Sequence, residues 1–518
     1  MTTHTPWWRD AVIYEVYPRS FADSDGDGEG DLEGLRSHLP YLRDLGVDAL
    51  WLSPFYRSPL ADGGYDVADY RDVDPRFGTL ADFDRLIAEV HGHGMRLVVD
   101  IVPNHTSSAH PWFQEALTGV GRDRYIFRND TGIPNDWQSN FGGPAWTRLP
   151  DGEWYLHLYT PAQPDLNWRN PEIRKEFEDI VRFWLDRGVD GFRIDVAAGL
   201  FKDEHLSDIG DLTPHAAGSP MYDRPEVHDV YRDWRLILDS YPGDRMAVGE
   251  VWTEAPDDLA RYVRPDELHQ VFRFDLQKAP WSAAEFRRVV EESLGSATAA
   301  APTWVLSSHD SVRHVTRYSS LDRARAALLF MLALPGSAYL YQGEELGLAE
   351  VTDLPDEVRQ DPIWFQTHGA QPGRDGCRVP LPWSGTEPPF GFSTGEPWLP
   401  QPRSWAAQTA AAQLGDPTST LKFYRQALAL RRTLRGTLPE QPEWLDGFPP
   451  EVLAFRRGSL TCVTNFGDVP VSVFTSSSTG TVALASGPLD GDRLPGGAAV
   501  WLTGECLLSP RAVRRCVP

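Results

Sequence analysis

Cysteine is scarce: four residues in 518 (Cys377, Cys462, Cys506 and Cys516), at spacings that match no metal-ligand pattern. A thiolate-held metal centre is therefore not expected, and the set reads as reduced thiols of a cytoplasmic protein. A Cys506–Cys516 bridge stays open but would call for an oxidising compartment. No run approaches 18 apolar residues, which argues against a membrane-spanning helix. The N-terminus, Met1-Thr2-Thr3-His4-Thr5-Pro6, has neither a basic n-region nor an apolar h-region, so no export signal is expected. Positive charge is also short, with 49 Lys+Arg against 74 Asp+Glu and a net charge of −25. A field of that sign repels phosphate backbones and anionic membrane surfaces, which removes nucleic acid and membrane from the expected partners. A neutral small molecule is compatible with it, and oligomeric state is left open.

What the chain has in quantity is alternation. Short apolar runs at Ala11–Val16, Ala49–Leu52, Arg96–Val102, Gly191–Val196, Met246–Val251, Val271–Phe274, Trp304–Ser307 and Ala338–Tyr341 read as strands. Amphipathic patterns between them, among them Leu80–Val90, Pro171–Leu185, Glu226–Leu238 and Arg323–Leu334, read as helices. Eight strands alternating with helices predict an α/β fold, a parallel (β/α)₈ barrel. A long polar and aromatic stretch after the third strand predicts an inserted subdomain at 104–170, splitting the barrel into 1–103 and 171–446. A Pro-, Gly- and Trp-rich stretch at 345–413 predicts a lid over the same face. Short alternating runs at 447–518 predict a C-terminal antiparallel β-sandwich.

Three carboxylates end three of the predicted strands: Asp195 in Gly191-Phe192-Arg193-Ile194-Asp195, Glu250 in Val248-Gly249-Glu250-Val251-Trp252, and Asp310 in Ser308-His309-Asp310. The C-terminal ends of barrel strands are where such folds keep their chemistry. A pair of carboxyl groups is the minimum equipment for cutting a glycosidic bond: one protonates the leaving oxygen while the other attacks or activates water.

With Asp100-Ile101-Val102-Pro103-Asn104-His105, Gly64-Tyr65-Asp66-Val67, Gln163-Pro164-Asp165-Leu166-Asn167 and Tyr341-Gln342-Gly343-Glu344-Glu345 in the same order, the chain resembles the α-amylase family, in its α-glucosidase and oligo-1,6-glucosidase branch. The resemblance implies Asp195 as nucleophile, Glu250 as general acid/base and Asp310 as stabiliser of the oxocarbenium-like transition state. Arg193, two residues before Asp195 on the same strand face, would keep that carboxylate ionised. Retention of configuration would place the Asp195 and Glu250 carboxyls ~5–5.5 Å apart. His105 and His309 would hold hydroxyls of the reacting glucose, and Tyr65 would stack on it. Asp62 paired with Arg378 would close the pocket at the terminal 4-hydroxyl, so that glucose leaves one unit at a time. Asp100, Asn104 and Asp66 read equally well as braces of the barrel top.

The activity implied is a retaining exo-α-glucosidase on short malto-oligosaccharides. A transglycosylase or isomerase on α-glucosides, and more remotely a non-catalytic amylase-like partner chain, are the alternatives. Val196 leaves α-1,6 bonds open beside α-1,4, and Ser308 stands where the family usually has asparagine. Asp23, Asp25, Asp27, Glu29 and Asp31 follow an EF-hand spacing up to its ninth position, with Gly34 where the last ligand should be. A loop-only structural Ca²⁺ site is the expectation there.

Overall fold

The computed structural model describes residues 5–254, 256–295, 300–474 and 480–504. Eight parallel strands form a ring: β1 (Val12–Val16), β2 (Ala49–Leu52), β3 (Arg96–Ile101), β4 (Gly191–Ile194), β5 (Met246–Gly249), β6 (Gln270–Val271), β7 (Thr303–Val305) and β8 (Ser337–Tyr341). Their ladder order is β6-β5-β4-β3-β2-β1-β8-β7, which leaves one seam between β6 and β7. There the Thr303 hydroxyl donates to the Val271 carbonyl at 2.8 Å and accepts from Arg273 N–H at 3.0 Å. A side chain thus stands in for the missing rungs of a (β/α)₈ barrel.

Strand alternation sorts the core into two layers. Leu50, Leu52, Leu97, Val99, Phe192, Ile194, Ala247 and Leu340 face outward to the helices. Ile13, Ala49, Trp51, Val98, Met246, Val248, Phe272, Val305 and Tyr339 fill the barrel. Continuing the inward parity past the last rung brings Glu15, Asp100, Arg193, Asp195 and Glu250 to one end of the interior. The ladder pairs Asp100 with Arg193 and Arg193 with Val248, which fixes their heights.

The helices follow their apolar spacing. Leu80–Gly92 buries Phe83, Leu86, Ile87 and Val90 and starts with a capping box between Thr79 and Asp82. Leu321–Ala333 is buried nearly all round because the C-terminal domain covers its outer face; the Trp501 indole donates to Leu329 O at 3.0 Å. No helix among the described residues is long and apolar enough to cross a membrane.

After β3 the chain forms a helix, Pro111–Leu117, and a three-stranded antiparallel sheet of Phe127–Arg128, Trp146–Arg148 and Trp154–Leu156. The stretch after β8 consists of short helices and 3₁₀ turns. The C-terminal domain is antiparallel but not an even sandwich. A five-stranded sheet, Glu443–Trp444, Val452–Arg457, Leu460–Asn465, Ala498–Thr503 and Thr481–Ala485, carries a two-stranded ribbon of Val471–Ser472 and Arg493–Leu494. Val473 and Leu494 of the ribbon region pack on Val452, Val463 and Val500. Cys506 and Cys516 lie outside the described residues; Cys377 and Cys462 are buried free thiols.

Candidate active site

Arg193 is 2% exposed and anchors the charged end of the barrel. Its Nη1 donates to Asp195 Oδ1 at 2.6 Å and to Asp100 Oδ1 at 3.0 Å, and its Nη2 lies 2.8 Å from Glu250 Oε2. Asp100 also accepts from Tyr65 OH at 2.9 Å and from the Trp51 indole at 3.3 Å, so it braces two groups of the site. Burial pushes the Asp100 carboxyl up to about 6 although Arg193 opposes it.

Burial, with Glu250 and Asp100 adding to it and Arg193 opposing it, raises the Asp195 carboxyl well above the usual range. Glu250 accepts from Val196 N–H at 3.2 Å and from the Trp252 indole at 3.0 Å as well as from Arg193. Val196 supplies its N–H from a left-handed backbone with φ of 46°. That conformation costs a β-branched residue roughly 1–3 kcal/mol. It also ends β4 two residues before the predicted limit.

Asp310 faces the open pocket with 35% of its side chain exposed. Its Oδ1 accepts from Arg374 at 2.9 Å and Arg378 at 3.0 Å, and its Oδ2 lies 3.1 Å from His309 Nε2. Burial disfavours ionisation there, but His309, Arg374, Arg378 and Arg193 outweigh it and hold the carboxyl far below the usual range. His309 stacks on Tyr65 with centroids 5.3 Å apart and rings nearly parallel, and its Nδ1 bonds the buried carboxylate of Glu15. His105 lies 3.1 Å from the Gln163 amide, which also donates to Asp62 at 3.0 Å. Burial keeps His105 toward its neutral form.

The expected pair of Asp62 with Arg378 does not form. Arg374 takes Asp62, at 2.6 Å, together with Asp361 at 2.5 Å and Asp310. The two arginines flank the 3₁₀ turn Asp375–Cys377, which aims them differently. Arg374 reaches across the pocket, while Arg378 turns inward to Asp310 and the His309 carbonyl. Glu15, Asp361 and Arg374 are thus site residues that the motifs did not single out, and Gln163, which opens a quoted motif, had been given no role. Arg193, Glu250, His309 and Asp310 line a cavity of about 230 Å³ whose aromatic wall is Trp252, Phe272 and Phe274. Trp252 and Phe274 stack at 4.5 Å.

A sequence profile described as the alpha amylase catalytic domain matches residues 15–437. The chain belongs to the alpha-amylase family. A second profile, a domain of unknown function, matches residues 449–501. Within the family the chain is 42% identical to a "Probable alpha-glucosidase" of Rhizobium meliloti, over 89% of this chain and 90% of that one. It is 37% identical to an oligo-1,6-glucosidase of Parageobacillus thermoglucosidasius, over 82% and 84%. Among solved structures it is similar to the alpha-glucosyl transfer enzyme XgtA, at 39% identity and a TM-score of 0.87, covering 97% of this chain and 100% of that. The trehalulose synthase MutB of Pseudomonas mesoacidophila MX-45 matches at 32% identity and a TM-score of 0.87, over 97% and 98%.

The acidic loop after β1 divides its five carboxylates. Asp23, Asp25 and Asp27 bring oxygens within 4.8 Å of one another and could hold a metal ion. Asp31 instead caps the helix Leu32–Ser37, accepting from Gly34 N–H at 2.6 Å, and Glu29 pairs with Arg19 at 2.6 Å. The Asp31 carboxylate is thereby engaged elsewhere than in the predicted ligand set, whereas Glu29, at the seventh loop position, is expected there only through its carbonyl. Burial and then the charges of Asp25, Asp23 and Glu29 push Asp27 up, as crowded anions do without a cation. The loop is clasped by the lid: Asp23 N–H donates to Phe392 O at 2.9 Å and Trp398 N–H to Gly28 O at 3.0 Å. A side chain at Gly28 would meet the Glu396 carbonyl at 2.1 Å.

Proposed function

We propose that this protein is a retaining α-glucosyl enzyme acting at the non-reducing end of small α-glucosides, its glucosyl intermediate captured chiefly by a sugar hydroxyl. Asp195 and Glu250 sharing one guanidinium at the barrel mouth is the observation that carries the reading. Two carboxyls bound by the two terminal nitrogens of one guanidinium are held close together, which supports direct attack by one of them over activation of a water between them.

In the first step an Asp195 carboxylate oxygen bonds the anomeric carbon while Glu250 gives its proton to the departing oxygen. Glu250 must therefore enter this step protonated and Asp195 ionised. In the second step Glu250 takes a proton from an incoming hydroxyl, whose oxygen displaces Asp195 from the same carbon. Two inversions give net retention. Asp310, held ionised beside the guanidinium groups of Arg374 and Arg378, faces the positive charge that grows on the sugar ring. Asp62 and Arg374 close the pocket beyond it, which supports action at chain ends.

Capture by sugar is favoured by the aromatic cavity on the leaving side, which binds a ring face and displaces water. The likeness to XgtA and MutB supports it too. Hydrolysis is the second reading, favoured by the "Probable alpha-glucosidase" at 42% identity. Maltose followed by anomeric NMR separates them: new α-linked oligosaccharides or an isomer support transfer, and α-glucose alone supports hydrolysis. Asp195→Asn, or a β-product, bears on the core of the proposal: activity surviving the first or inversion seen in the second would overturn it. The cation proposed for the Asp23–Asp25–Asp27 loop is Ca²⁺, which suits an all-oxygen donor set. It would join the loop to the lid and stand apart from the chemistry. The buried free thiols Cys377 and Cys462 fit a reducing compartment such as the cytoplasm.

A further inference from the structure

A second cavity lies at the end of the barrel where β1 and β8 begin, opposite the catalytic acids. Its volume is about 220 Å³, and four arginines, Arg9, Arg431, Arg435 and Arg457, line it against two carboxylates, Asp10 and Glu440. Three segments supply these cations: the 3₁₀ turn Trp7–Asp10, the last barrel helix Thr420–Leu434 with Arg435 just after it, and the C-terminal strand Val452–Arg457. In a chain with a net charge of −25 this is a local reversal of sign.

Part of the charge has a structural use. Arg431 donates to the carbonyls of Leu332, of Leu334 at 3.2 Å and of Gly336 at 2.5 Å. Arg457 donates through Nη1 to Ala333 O at 2.9 Å and through Nε to Pro439 O at 2.8 Å. Together they cap the C-terminal end of the helix Leu321–Ala333. A helix end offers about half a negative charge, whereas two guanidiniums bring two full positive ones. Glu440 neutralises Arg9 and Asp48 neutralises Arg435. Among the described residues no carboxylate forms an ion pair with Arg431 or Arg457, which are only 8% and 7% exposed. Burial pulls both guanidiniums down to about 10, with Asp10 the strongest opposing charge. Arg457 Nη2 makes no hydrogen bond among the described residues. A buried cation with an unspent donor is costly, and an anion that brings the missing acceptor recovers that cost.

We infer that this cavity binds a small phosphate-type oxyanion that fastens the barrel to the C-terminal domain. A tetrahedral dianion offers acceptors in several directions, which suits guanidinium forks arriving from three segments. The overall negative field opposes it little, since screening confines that field to about 8 Å at physiological salt. The site stands apart from the α-glucoside reading, because none of its lining residues lines the catalytic cavity.

Isothermal titration calorimetry of the full-length protein with inorganic phosphate, at an ionic strength held constant with sodium chloride, tests the inference. One ion should bind per chain with a Kd of about 0.1–1 mM. Arg457→Met should weaken binding about tenfold or more, as loss of a charged hydrogen bond in a buried setting does. That change also uncaps a helix, so Arg9→Gln, at a part-exposed position, is the second variant and should weaken binding about two- to fivefold without altering the circular dichroism. Sulfate should bind like phosphate, and acetate about tenfold more weakly or worse. Glycerol phosphate identifies the source: binding tighter than phosphate assigns the site to an organic monoester, and weaker binding assigns it to the free ion. Turnover of p-nitrophenyl α-glucoside should not be inhibited at saturating phosphate. No saturable binding up to about 10 mM, or an affinity unmoved in both variants, overturns the inference. Inhibition of turnover over the same concentration range places the ion in the catalytic pocket and overturns it too. Acetate binding as tightly as phosphate overturns the phosphate assignment.

Discussion

Replacing Arg193 probes the electrostatics of the site more directly than removing either acid. Its guanidinium serves Asp195 at 2.6 Å and Asp100 at 3.0 Å through Nη1, and Glu250 at 2.8 Å through Nη2. Arg193→Met keeps the aliphatic stem and leaves three buried carboxyls around an apolar tip. A unit charge ~4 Å away is worth ~4 kcal/mol at an effective dielectric near 20, and that attraction is lost. The site answers by taking up a proton, since an acid deprived of a nearby cation rises by about 1–3 pKa units. The sign is unambiguous: losing the cation favours the neutral carboxyl, so Asp195 stays protonated to higher pH. At neutral pH kcat should fall about 10²–10³-fold, and the acidic limb of kcat/KM should move up by about 1–3 units. Arg193→Lys keeps the charge, but one ammonium cannot span acids that two separate nitrogens serve, so it should lie between. The assay is kcat/KM on p-nitrophenyl α-glucoside from about pH 4 to 9, with circular dichroism to confirm the fold. An Arg193→Met enzyme with kcat within about tenfold of wild type and an unmoved acidic limb would refute the reasoning.

Two further outcomes test the ends of the site. Arg374→Lys keeps a cation among Asp62, Asp361 and Asp310 but not the reach to all three; KM for maltose should rise about tenfold or more, and maltoheptaoside blocked at its non-reducing end should become a substrate. Continued refusal of the blocked sugar would show that Arg374 does not close the pocket. Chelation should lower Tm by several degrees while leaving kcat at lower temperature nearly unchanged, and Asp25→Ala should abolish the effect of the chelator; an identical melting curve with and without chelator would remove the cation from the loop.

Much of the barrel was legible because its apolar runs are short and well separated. They located all eight strands, though the sixth only through Val271, and the apolar stripe of Leu80–Val90 located the helix that runs to Gly92. Strand ends were less legible where function begins. The run Gly191–Val196 looks uniformly apolar around Asp195, yet β4 stops at Ile194 because Val196 is turned into a left-handed conformation that aims its N–H at Glu250. Nothing in valine's own preferences signals that turn; tertiary contacts impose it. The sandwich expected at the C-terminus shrank for a related reason. One face of its main sheet packs on the helix Leu321–Ala333, so only the other face needs a cover, and a two-stranded ribbon suffices.

Site residues divide by the same logic. Motif order found Asp195, Glu250 and Asp310, and geometry gathers them around Arg193, Arg374 and Arg378. Glu15 was equally available: it follows Ala11 and Ile13 on the inward parity of β1, as Asp195 follows Gly191 and Arg193 on that of β4. Motifs drew attention to the strands that carry them, and β1 carries none. The choice between Arg374 and Arg378 was of another kind. Four residues apart around a 3₁₀ turn, they have the same chemistry and nearly the same sequence address, and only the fold decides which one crosses the pocket.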